Sequence, residues 1–359
     1  MNLTIIGRTI TSSYRNHHAN TFRSLLKAFG ERGHSITFME RDHPEFARHR
    51  DLPDPDFCKV ILYKDFHELK EIHSDHIRAA DAVMVGSSLQ EGVTVNELVF
   101  SISGGTTIFY DIDPMVTITK LKNGDFEYIR PGQVRCFDLY LSFSGGPVLE
   151  DLMNDYHAPK AQALYASVDP GVFYPDKSDK KWKLGYLGTS SADRISEAEE
   201  LLRQSARYLK SEAFVVAGSP TPPSHPWPPN VEHISHLSLA QHRSFYNAQE
   251  FTLHVSPSDA VRAGYSPDVR LFEAAACGVP VISDYWEGLD IFFNFGKEIL
   301  IAKTWKEVVG FIVGISDEER SAIGERARQK VLQNHTSRAR AAELERYIKS
   351  VSVRSGKVH

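Results

Sequence analysis

Arg270 and Glu273 stand three residues apart in "SPDVRLFEAAACGVPVISDYWEGLD", residues 266–290. On a helix that spacing puts a guanidinium and a carboxylate on one face, where they can form an exposed pair worth roughly 0.2 to 0.5 kcal/mol. They can equally be kept for a ligand, and the loops on either side of this stretch favour that use. Other chemistries lack their motifs. A dinucleotide turn needs Gly-x-Gly-x-x-Gly after the first strand, but Gly7 is followed by Arg8, Thr9, Ile10 and Thr11. The chain carries no Gly-x-x-x-x-Gly-Lys-Ser/Thr phosphate loop, no His-Glu-x-x-His and no paired Cys-x-x-Cys. Neither a cofactor nor a metal is therefore expected.

The Arg270–Glu273 stretch also announces the elements that position it. Ser266 offers a capping hydroxyl, Pro267 suits a first helical position, and Asp268 complements the positive end of the helix dipole. Leu271, Phe272, Ala274 and Ala275 supply an apolar face, while Gly278 and Pro280 end the helix near Cys277. "VPVIS" then reads as a strand buried on both sides of a parallel sheet. The same alternation fills the chain. "NLTIIG", "HSITFMER", "KVILY", "DAVMVGS", "TTIFYDI" and "LYLSFSG" read as the strands of one Rossmann-like domain, with amphipathic helices such as "ANTFRSLLKAFGERG" between them. A second series, "LGYLGTS", "AFVVAGS", "EHISHL", "FTLHVSP" and "VPVIS", follows a Pro-marked linker near Asp169–Lys181. The expected division is a first domain over 1–172, a second over 173–335 and a C-terminal helix over 336–359.

Composition narrows the partners. The 359 residues are 42% hydrophobic and 24% charged, enough for two domains with their own cores. Lys and Arg total 41 against 46 acids, a net charge of −5, and no dense basic block could neutralise a run of phosphates, so nucleic acid is not an expected partner. Cys58, Cys136 and Cys277 are far apart and read as buried thiols in a reducing compartment. The start "MNLTIIGRTITSSY" has no export pattern, and nowhere do about 18 apolar residues run together. The expectation is a cytoplasmic protein without a transmembrane segment.

The segment "GYSPDVRLFEAAACGVPVISDYWEGLDIFF" resembles the C-terminal core of CgeB-like, spore-maturation-type glycosyltransferases through its Arg-Leu-Phe-Glu-Ala-Ala-Ala-Cys-Gly and Trp-Glu-Gly-Leu-Asp runs. The resemblance continues through "TITSSYRNHHANTFRSLLKAFGERGHSITFMERD", "FYDIDPMVT", "SVDPGVFYP" and "LGYLGTSSADR". It implies the GT-B fold: α/β, with two facing Rossmann-like, doubly wound parallel-sheet domains and a cleft between them. The implied activity is metal-independent transfer of a hexose from a nucleotide-diphosphate sugar to an unidentified glycan, lipid-linked glycan or small metabolite. A GT-B nucleotide-sugar epimerase or a non-catalytic nucleotide-sugar-binding protein could use the same donor site.

On that resemblance Glu273 matches the helix carboxylate that accepts the ribose hydroxyls, and Arg270, one turn earlier, would neutralise diphosphate charge near the helix start after Ser266. Gly188 and Thr189 form a glycine turn after a strand, with Arg194 as a second cation. His236 and Leu237 in "HISHL" are candidates for meeting the nucleobase of the donor through backbone groups, and Trp286, Glu287 and Gly288 for the transferred sugar. Many retaining GT-B enzymes carry a second glutamate eight positions earlier, but Tyr265 stands there. In "NHHAN" His18, with His17 as its neighbour, resembles the essential histidine of several inverting GT-B enzymes. Asp111 and Asp113, at the end of "FYDIDP", are alternative bases or ligands for acceptor hydroxyls.

Overall fold

Parallel strands alternate with helices from one end of the chain to the other. The structure, a computed structural model, describes residues 1–14, 17–188, 192–218 and 226–352. The chain divides into two compact units, Met1–Ser167 with Ser337–His359, and Val168–Thr336.

In the first unit the strands β1 (Asn2–Gly7), β2 (Ser35–Arg41), β3 (Lys59–Tyr63), β4 (Ala82–Gly86), β5 (Thr106–Asp111), β6 (Leu139–Ser142) and β7 (Ala161–Ala163) form one sheet. Its order is β3-β2-β1-β4-β5-β6-β7, and every pairing is parallel. The order reverses at β1 and β4, so the loops leaving their C-terminal ends diverge and open a place for ligands. Continuous Val, Ile and Leu runs such as "AVMVG" are buried on both faces, as a helix-covered parallel sheet requires.

The helix His17–Gly30 covers this sheet with Phe22, Leu25, Leu26 and Phe29, which share a core with Ala341, Leu344 and Ile348 of the helix Ser337–Ser352. Arg32 pairs with Glu345 and Lys160 donates to the Ser350 hydroxyl at 2.7 Å, so the last helix belongs to the first unit's core.

The second unit repeats the plan with β8 (Trp182–Leu187), β9 (Phe214–Ala217), β10 (Val231–Ile234), β11 (Gln249–His254), β12 (Val281–Ser283) and β13 (Leu300–Ile301). The order is β10-β9-β8-β11-β12-β13, again wholly parallel, with its reversal at β8 and β11. β7 and β13, three and two residues long, are too short to show a pattern in the sequence.

The thiols differ from their expected uniform burial. Cys277 is buried and Cys58 half-buried, and burial pushes both up to about 12, but Cys136 is exposed. Among the described residues no helix is long and apolar enough to cross a membrane.

Candidate active site

In the first unit the loop that follows β1 is fastened from three sides. Glu40, wholly buried near the end of β2, accepts the Ile10 and Thr11 amides at 2.7 and 3.0 Å and the Thr11 hydroxyl at 2.6 Å. Asp51 accepts the Ser13 amide and hydroxyl at 2.8 and 2.7 Å and faces Arg23 through two 2.8 Å bonds. Burial works against the Asp51 charge, yet Arg23 and Ser13 hold its carboxyl well below the usual range. Arg23 also donates to the Ile10 carbonyl at 2.8 Å. A loop without a glycine-rich turn is thereby shaped by side chains, and it delivers the helix whose second residue is His18.

His18 is buried, 1% exposed, and its Nε2 lies 2.6 Å from Asp113 Oδ2. Asp113 is the N-cap of the helix Pro114–Asn123, yet its side chain makes no capping bond. With a side chain 28% exposed, Asp113 is the member of the pair that reaches solvent. The structure thus brings together two sequence candidates 95 positions apart, but it places His18 behind Asp113. His17 begins the same helix, and its side chain lies outside the described residues.

Asp111 does not join them as an exposed strand-end acid. It is fully buried, its Oδ1 accepting the Thr117 hydroxyl at 2.8 Å and its Oδ2 the Tyr140 hydroxyl at 2.6 Å. Thr117 is in turn 2.8 Å from the Tyr128 hydroxyl. Burial raises the Asp111 carboxyl to about 7, against the lowering effect of the Tyr140 and Thr117 bonds. With both oxygens occupied it braces the strand end from inside, and Asp113 is the acid of this turn that reaches solvent.

In the second unit the helix runs Val269–Ala276 and is capped by Asp268, whose carboxylate accepts the Arg270 amide at 3.0 Å. The cap therefore sits two residues after the expected Ser266. The preceding Tyr265 adopts φ 47°, so the chain is still turning at 265, and Ser266 and Pro267 lead into the helix. Cys277 closes the helix and Gly278, at φ 71°, takes the left-handed position beyond it. Arg270 lies 3.6 Å from Asp268 rather than pairing with Glu273.

Glu273 is 4% exposed and meets the helix Leu239–Asn247. His242 Nδ1 lies 3.2 Å from its Oε2, and the Tyr246 hydroxyl donates to the same oxygen at 3.4 Å. Burial, together with the Glu273 charge, raises the Tyr246 hydroxyl well above its ordinary value and keeps it a donor. Among the described residues the other oxygen, Oε1, has no hydrogen-bond partner. One carboxylate oxygen is thus fixed by the protein and the second left to accept from something else. His242 and Tyr246 were not foreseen, although their i, i+4 spacing in "LAQHRSFYN" puts them on one helix face.

The remaining candidates separate. Gly188 is buried just after β8, its amide donating to the Ala217 carbonyl at 2.9 Å. Thr189 lies outside the described residues, and so does the side chain of Arg194, which falls in the helix Ala192–Tyr208. His236 is exposed and Leu237 half-buried in the loop before the Ser238 cap.

The loop at 264–266 packs on the loop at 287–288. The Tyr265 amide donates to the Glu287 carbonyl at 2.7 Å, and a Cβ on Gly288 would meet the Tyr265 ring at 2.4 Å. Gly288 itself sits at φ 87°, so close approach and conformation both require glycine there. Glu287 is exposed, but Trp286 is not available to a sugar. It is 2% exposed in the core against Phe292, their centroids 5.9 Å apart. Its place in the loop after β12 suggested a ligand, whereas its apolar bulk is what the unit buries.

Residues 194–346 match the sequence profile of the family described as glycosyl transferase-like. No curated protein sequence is significantly similar to the chain. Among solved structures, an alpha-glucosyltransferase in complex with UDP-glucose and DNA containing an abasic site aligns at a TM-score of 0.72 and 14% identity, covering 97% of this chain and 99% of that one. HepE of Anabaena in complex with UDP-glucose aligns at 0.67 and 12%, covering 98% of this chain and 100% of HepE. Sucrose-phosphate synthase of Thermosynechococcus elongatus aligns at 0.63 and 11%, over 98% and 100%. The fold is GT-B, with two Rossmann-like parallel-sheet domains.

Proposed function

We propose that the chain is a cytoplasmic, metal-independent glycosyltransferase of the CgeB-like type, acting in polysaccharide biosynthesis by moving a hexose from a nucleoside-diphosphate sugar to a hydroxyl of an acceptor. The observation that carries this reading is the Glu273 carboxylate, with Oε2 fixed by His242 and Tyr246 and Oε1 left without a partner among the described residues. A carboxylate held in this way is suited to a ribose diol, because it can accept hydroxyl hydrogen bonds without losing its orientation. The family profile covers the same part of the chain, and the solved neighbours HepE and the alpha-glucosyltransferase hold UDP-glucose. Arg270 and the amides at the start of its helix would face the diphosphate.

The first unit would supply the acceptor half of the reaction. As the sugar leaves the diphosphate, the acceptor hydroxyl must lose a proton, and the His18–Asp113 pair is the group able to take it. Asp113 reaches solvent, so it would meet the hydroxyl, and His18 would orient it and share the proton.

The test of this reading is calorimetry with UDP and UDP-glucose. Glu273→Ala should weaken both by roughly 1.5 to 3 kcal/mol, the cost of lost hydrogen bonds to a charged group, with the melting temperature of the free protein little changed. Equal affinity in the variant and the parent would remove Glu273 from the donor site.

A further inference from the structure

The first unit also holds an opening whose wall does not include His18. A cavity of about 300 Å³ lies at the C-terminal edge of the sheet, where loops after β1, β2 and β4 come together. Its wall includes Arg8 just after β1, Arg41 at the end of β2, Phe46 in the short helix Pro44–Ala47, and Ser88 and Gln90 after β4. β1 and β4 are the strands at which the sheet order reverses, the place where open parallel sheets take their ligands.

The two arginines on this wall are in different states. Arg41 is neutralised by Glu91 at 2.6 Å and donates to the Lys64 carbonyl at 3.0 Å. Arg8 is half-buried with its guanidinium over the Phe46 ring, 5.4 Å from the centroid, and among the described residues it has no carboxylate or hydrogen-bond partner. A guanidinium held over an aromatic face is attracted by the ring while its N–H donors stay open, which suits recognition of a carboxylate or phosphate. The Ser88 hydroxyl is likewise without a partner among the described residues.

Ser88 adopts φ 60° and Glu91 φ 58°, two non-glycine residues in the left-handed region within four positions. Such a backbone is strained and persists only where the surrounding structure over-determines it. On the same wall Glu127 is answered by Lys120 at 2.8 Å, while Glu45 remains as an acceptor for hydroxyls.

We propose that this cavity holds the acceptor through an anionic group, a carboxylate or a phosphate monoester on a hydroxylated molecule, with Arg8 as its counter-ion and Ser88 as a second donor. The inference deepens the transferase reading and rests on it, because it names the class of molecule that receives the sugar.

The test is calorimetry on the full chain without donor, using glucuronate, glucose 6-phosphate and glucose as probes. One or both anionic probes should bind about tenfold or more tightly than glucose, as expected for a charged hydrogen bond, and whichever is preferred identifies carboxylate or phosphate as the group read. Arg8→Gln should abolish that preference, Arg8→Lys should retain part of it, and Ser88→Ala should reduce it. Equal binding of the three probes, no binding of any, or an unchanged preference in Arg8→Gln would overturn the proposal. UDP affinity, measured in parallel, separates the two ideas: it should be the same in parent and Arg8→Gln. A parent that binds no UDP sinks the transferase reading, whereas UDP binding without anion preference sinks only the acceptor class.

Discussion

Asp111 in the first unit and Glu273 in the second are both buried carboxylates attended by a tyrosine hydroxyl, but they are left in opposite states. Tyr140 and Thr117 occupy one Asp111 oxygen each, and burial brings that carboxyl to about 7. At Glu273, His242 and Tyr246 converge on a single oxygen and leave the other open among the described residues. A saturated buried acid stabilises a shape, whereas a half-saturated one holds an acceptor ready for a ligand at the cost of incomplete satisfaction. Asp113, two residues on, is the carboxylate of this turn that reaches solvent, paired with His18.

The largest effect expected from this division is on turnover. Asp113→Asn and His18→Ala should each lower it by about 10² to 10⁴, with UDP-glucose affinity nearly unchanged. The double variant should be little worse than either single one, since the pair acts as a unit. His18 is buried, so the melting temperature of each variant must be recorded beside its rate. A loss confined to donor affinity would break the comparison by moving the pair onto the phosphates.

A smaller effect is expected in the pH dependence of stability. A carboxyl raised from 3.8 to about 7 in the folded state binds a proton there that the unfolded chain has already released. Its contribution is fully present below pH 3.8 and is lost as pH rises toward 7, at no more than about 1.4 kcal/mol per pH unit. Asp111→Asn removes this proton. Urea unfolding at pH 5 and pH 7 should therefore show the parent losing stability relative to the variant as pH rises. Parallel pH profiles would mean that Asp111 is ionised at both values and is held by its two hydroxyl donors.

Much of this was legible in the residues themselves. Gly278 and Pro280 marked where the Glu273 helix ends, β-branched runs marked the buried strands, and the three-residue spacing put Arg270 and Glu273 on one side. What could not be read was distance and depth. His18 and Asp113 were each visible, but their 2.6 Å contact joins positions 95 apart. Trp286 and Asp111 sit in sequences that look like loop edges, and only packing shows that one is core and the other sealed. The shift of the cap from Ser266 to Asp268 follows from the left-handed Tyr265, a conformation that a non-glycine residue does not announce.

The smallest expected effects set two tyrosine hydroxyls against each other. Tyr140→Phe and Tyr246→Phe are nearly isosteric, and each removes one donor to a buried carboxylate, at 2.6 Å to Asp111 and at 3.4 Å to Glu273. In the first unit the loss leaves Asp111 with one oxygen unanswered in the core, so Tyr140→Phe should lower unfolding free energy by about 1 to 3 kcal/mol and leave UDP affinity alone. In the second unit His242 still meets the same Glu273 oxygen, and the bond removed is long. Tyr246→Phe should therefore cost little stability and weaken UDP by about 0.5 to 1.5 kcal/mol, a factor of up to about ten, through a less fixed carboxylate. If Tyr246→Phe instead lowers stability as much as Tyr140→Phe and leaves UDP binding intact, Glu273 is a second structural acid and the contrast between the two units disappears.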